Sequence, residues 1–203
     1  MIATLLCALL ASGPAREAAR KPAPPSPAAA PSTSSDASPL SDAERDDTVD
    51  GYLGSIDTPI GRSRWRALGP KARAKLEAIA QDGQALPSRR ARSLDGLAAL
   101  GQKESAPLAT ALARDEAAPF VVRHSALRAA AALLGPKTLT RELGPLVTGA
   151  QDLRIRALTA ETLAHHGGTR GCALVLHAAK DAGEAAESKH WKRALVACEA
   201  AQQ

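Results

Sequence analysis

The chain has 203 residues, 45% hydrophobic and 23% charged, a composition that fits one globular domain with an appendage. Aromatic residues are only 2%, so the core must come from Leu, Val, Ile and Ala, and that choice favours helices over strands. The net charge of +5 and pI near 9.4 suit an acidic partner but exclude the charge density of a dedicated nucleic-acid binder.

The chain opens on an apolar run, Ile2 to Ala11, as long as a signal-peptide core and too short to span a bilayer. Gly13 and Ala15 suit the small-residue positions of a cleavage site, although no Lys or Arg precedes the run. Residues 1–15 therefore read as a signal peptide. Cys7 does not fit a lipoprotein site, since Leu5 and Leu6 stand where a small residue is wanted. Residues 16–40 are rich in Ala, Pro and Ser, and read as a disordered linker. Such a segment is either a spacer or a plain unstructured leader.

Structure is expected from Ser41. Ser41 and Glu44 form a capping-box pair, which predicts a short acidic helix ending near Gly54. Thr58-Pro59 predicts a second helix start, running through Trp65 to Leu68. Gly69 should stop it and Pro70 open a third helix, with Gly83 as the next stop.

Three later strings then align: Arg89 to Gly101, Val122 to Leu134, and Ile155 to Gly167. The second residue of each is arginine. Arg90, Arg123 and Arg156 follow one another at intervals of 33. Small or apolar residues recur three, four and seven places later: Ser93, Leu94 and Leu97; Ala126, Leu127 and Ala130; Thr159, Ala160 and Leu163. That is one helical face. Each string is followed by a second amphipathic stretch: Pro107 to Ala113, Leu139 to Val147, and Cys172 to Ala179. The unit is helix, turn, helix, and the period predicts an all-α fold of stacked units. Gly144-Pro145 falls inside one second helix and predicts a break or kink there.

The pattern of an apolar residue, arginine, paired small residues and a terminal Leu-Gly resembles HEAT-like repeats of the short bacterial kind. Val122-Arg123 and Ile155-Arg156 carry it well; Arg89-Arg90 departs from it by placing a charge at the apolar position. Residues 64–82 look like a degenerate leading repeat, and residues 184–200 like a closing helix. The resemblance implies an α-solenoid over residues 41–203. It also implies that Arg90, Arg123 and Arg156 are structural rungs, each pairing with an aspartate of the preceding turn. Asp82, Asp115 and Asp152 are the candidates.

Candidate chemistry is sparse. If the last two helices form a hairpin turning near Gly183, Cys172 and Cys198 face each other; in an exported protein they would form a disulfide. Otherwise they are two small buried thiols. His165 and His166 are adjacent and so diverge on a helix, which does not favour a shared metal ion. No phosphate loop, nucleophile elbow or carboxylate pair stands out. The sequence thus implies no catalytic residue, no metal and no cofactor.

The sharpest surface feature is positive charge in the leading half. Arg62, Arg64, Arg66, Arg73, Arg89 and Arg92 form a candidate basic binding face around Trp65, with Lys71 and Lys75 alongside. The plainer reading is a solvated face with Trp65 in the core, and the acidic run Asp42 to Asp50 could fold back and neutralise it. The functional expectation is a non-enzymatic protein-interaction scaffold, exported to the periplasm or cell envelope. Its partner would be a protein with acidic character, and the membrane would be reached only through an uncleaved or lipidated leader. The alternative is a cytoplasmic module that binds polyanions or nucleic acid through the leading repeats.

Overall fold

The computed structural model describes residues 40–55 and 58–201. The expected signal peptide and all of the expected linker except Leu40 lie outside the described residues. Among the described residues the protein is all-helical, with no strand.

Helix α1 (Asp42–Gly54) begins at the expected capping box. Ser41 Oγ accepts from the Glu44 N–H at 3.3 Å, and the Glu44 carboxylate accepts from the Ser41 N–H at 2.9 Å. Helix α2 (Arg62–Ala67) starts later than Thr58-Pro59 predicts. The first carbonyl to accept a helical N–H is that of Gly61, from Arg64 and Trp65, and Thr58 and Pro59 stay in the preceding loop. Gly69, at φ 72°, turns the chain into α3 (Ala72–Gln81).

Seven further α-helices follow. They are α4 (Pro87–Leu100), α5 (Ala106–Arg114), α6 (Phe120–Leu133), α7 (Pro136–Gly149), α8 (Leu153–His166), α9 (Gly168–Ala178) and α10 (Lys189–Ala200). Gly101 ends α4 at φ 71°, with its N–H on the Leu97 carbonyl at 3.2 Å, as a glycine terminator should. Helix α7 passes through Pro145 without the expected break. The Pro145 ring is exposed, so it meets solvent rather than a neighbouring helix. Gly144 before it is buried: a Cβ there would lie 2.9 Å from Leu174 of α9.

The helices form two rows. α4, α6, α8 and α10 lie side by side; α3, α5, α7 and α9 back them, each against the next helix in the chain. Between the rows lie fully buried Leu94, Leu97, Leu127, Leu139, Leu143, Ile155, Leu163 and Trp191. Alanine supplies much of the remaining core, including Ala126, Ala129, Ala130, Ala157 and Ala160, all at 0% exposure. Such small side chains let neighbouring helices approach closely. One close approach is that of α9 to the end of α8, where a Cβ on Gly171 would sit 2.5 Å from the Leu163 carbonyl oxygen.

At the leading end, α1 packs on α3 and α4, and α2 on α4. Trp65 of α2 is buried at 4% exposure and meets Tyr52 edge-on, with ring centroids 5.1 Å apart. Gly96 of α4 makes room for it, since a Cβ there would come within 3.2 Å of the indole.

Candidate binding site

The three repeated arginines make one and the same bond. Arg90 Nε donates to the Ala80 carbonyl at 3.0 Å, Arg123 Nε to Ala113 at 3.2 Å, and Arg156 Nε to Val147 at 3.3 Å. Each ties a helix of the first row to the C-terminal turn of the helix before it. The expected aspartate partners are not used. Asp82, Asp115 and Asp152 each accept instead from the N–H two residues on, at 2.8, 3.0 and 2.9 Å. These are Asx turns, which occupy the carboxylate locally and leave the arginine to the nearest orphan carbonyl.

The six candidate binding arginines are divided among different environments. Arg89 pairs with Asp50. Arg73 lies between Glu77 at 3.9 Å and Glu104 at 3.7 Å. Arg92 Nη1 donates to the Leu53 carbonyl at 2.9 Å. The neighbouring lysines are also met: Lys71 by Asp42 at 3.1 Å, and Lys75 by Asp50 at 2.6 Å. Helix α1 therefore lays its carboxylates along much of this charge. Those of Asp42 and Asp50 are held below the usual range, chiefly by the hydrogen bonds from Arg45 and Lys75.

The arginines of α2 have no carboxylate within ion-pair distance among the described residues. Arg64 is exposed, and Arg62 and Arg66 line a cavity. It is a groove of about 600 Å³ running across α2, α4, α6 and α8. Its floor is small: Ala98, Gly101, Ala131 and Ala132. Arg66 Nε donates to the Ala99 carbonyl at 3.1 Å, which fixes the guanidinium at the rim.

The rest of the wall comes from residues that the sequence reading did not single out as a site. Arg128 of α6 bonds Asp95 of α4 at 2.5 Å. Burial pushes the Asp95 carboxyl above its usual range, against the pull of Arg128. Glu161 of α8 is held by His190 Nδ1 at 2.6 Å and by Arg193 at 3.7 Å, both from α10. His165 and His166 close the α8 end. A signal for this wall exists in the sequence: Arg62, Arg128 and Glu161, together with Asp95 that pairs with Arg128, are spaced by 33, with alternating charge.

His124 also lines the groove. Burial, with Arg128 and His190 near, holds its imidazole below the ordinary 6.5, against the pull of Asp95 and Glu161. A depressed folded value means the neutral ring favours the fold. That contribution is complete above the unfolded value and is lost as pH falls through the folded one. Urea denaturation at pH about 7.5 and about 5.5 should show the wild-type chain losing more stability on acidification than His124→Gln. Equal losses would contradict this.

Cys172 of α9 and Cys198 of α10 are bonded as a disulfide, Cα atoms 5.1 Å apart, with both residues buried. Among the described residues, no cluster of His, Cys, Asp and Glu is arranged to share a metal ion, and no helix is long and apolar enough to cross a membrane. Compared with known proteins, the chain matches no family model, no curated protein and no solved structure.

Proposed function

We propose that the protein is a non-enzymatic interaction scaffold, an α-solenoid of HEAT-like repeats that holds a protein partner in the groove over α4, α6 and α8. The observation that carries this is the groove itself: about 600 Å³, with alanines of α4 and α6 in its floor and charged side chains from α2, α6 and α8 in its walls. A partner's backbone can approach a floor without long side chains, while the walls select by charge. The solenoid reading is supported by the arginine-to-carbonyl bond made three times at corresponding positions. The export reading rests on the leader and on a disulfide, which persists in oxidising compartments.

A photo-crosslinking residue placed at exposed Ala132 should give a discrete protein adduct in the native cell. The same residue at exposed Thr148, on the second row, should not. Equal adducts at both positions, or none at either, would sink the reading. Polyanion binding through the leading repeats is the less favoured alternative, because Lys71, Lys75, Arg73 and Arg89 already face carboxylates.

A further inference from the structure

The charge around the groove has a direction. Arg128 is answered by Asp95, and Glu161 by His190 and Arg193. The two α2 arginines are answered by no carboxylate. Arg62 is exposed and has no hydrogen-bond or ion-pair partner among the described residues. Arg66 gives its Nε to a neutral carbonyl and keeps its two terminal nitrogens unengaged at the groove rim. An arginine anchored through Nε, with its terminal nitrogens free, is prepared to take a carboxylate. Arg62 and Arg66 are four residues apart on α2, so they stand one turn from each other on the same side.

From these observations we infer that the groove takes an acidic segment of a partner protein, with carboxylates received by Arg62 and Arg66 and small residues laid over Ala98 and Ala131. The inference rests on the interaction reading above and adds the chemistry of the occupant. A polyanion such as nucleic acid fits less well. Glu161 lines the same groove at its α8 side, so a ligand with evenly spaced negative charge would meet a carboxylate there, whereas a segment acidic at one end only would not. The length also follows. Crossing from α2 to α8 passes three helix spacings of about 8–10 Å each, so the segment needs about eight extended residues at about 3.3 Å apiece.

The test selects phage-displayed random dodecapeptides on the full chain and measures the enriched peptides by fluorescence anisotropy. Enriched peptides should carry Asp or Glu at one end and small residues beyond. Arg62→Glu should weaken them about tenfold or more, the scale of one lost charge-assisted hydrogen bond with added repulsion. Arg170→Glu, on the exposed side of α9, should leave them within about twofold, and both variants should keep the wild-type melting curve. Enrichment of neutral or basic peptides, or binding indifferent to Arg62→Glu, would overturn the acidic segment and leave the scaffold reading standing. A heparin hexasaccharide binding with equal affinity and equal dependence on Arg62 would reassign the site to polyanions. No enrichment at all would overturn the segment and count against the scaffold reading too.

Discussion

Reduction of the Cys172–Cys198 bridge should lower the stability of the folded chain by about 3–4 kcal/mol, the loop-closure value for a separation of this order. The two cysteines are 26 residues apart, and the loop between them includes the 3₁₀ turns Ala179–Asp181 and Gly183–Glu187. Without the bond, α10 keeps fully buried Trp191 and Ala194 as its hold on the rest. Urea denaturation with and without reductant should separate by the amount given. Amide exchange in the reduced protein should quicken first in α10, the end of the series. A urea midpoint unmoved after complete thiol titration would overturn the expectation.

Arg123→Ala should cost about 2–4 kcal/mol, the sum of a vacated buried side chain and an unmet carbonyl at Ala113. Arg123 is only 4% exposed, and its Nη2 is buried without a partner. That imperfection shapes a second expectation. Arg123→Met fills most of the space and removes the unmet N–H, so it should cost less than the alanine variant. Arg156 is only half-buried, and its bond is the longest of the three, so Arg156→Ala should cost about 1 kcal/mol. Chemical denaturation of the three variants decides the order. A methionine variant as damaged as the alanine variant would mean that the charge, not the volume, matters at this position.

Local signals read most reliably from sequence were those with a short-range cause. The capping pair Ser41 and Glu44, the terminator Gly101 and the facing of Cys172 and Cys198 each depend on a few residues and a simple helix geometry. Expectations failed where two local signals competed. Thr58-Pro59 gave way to Gly61 as the start of α2, and Pro145 lies inside α7 rather than ending it. Asp82, Asp115 and Asp152 resembled arginine partners, yet the backbone two residues on claimed them first.

The groove was legible only in part. The sequence allowed the acidic run Asp42 to Asp50 to fold back on the basic face, but which cations it meets depends on the tertiary placement of α1. The row Arg62, Asp95, Arg128 and Glu161 was there to be read, since it follows the same interval of 33 as the arginines. It was obscured because alternating charge on a helix face ordinarily means only solvent exposure.

The arginine links have a consequence for the last junction. Three hairpins, α3–α4, α5–α6 and α7–α8, are tied by a side chain reaching the carbonyl of the helix before it. The next position in that register is Lys189, which is exposed, and at α9–α10 a bond between sulfur atoms stands in its place. Three junctions therefore hold alike in any surroundings that keep arginine charged. The fourth holds at full strength only where thiols are oxidised, so the firmness of the α9–α10 junction is set by the redox state of its surroundings.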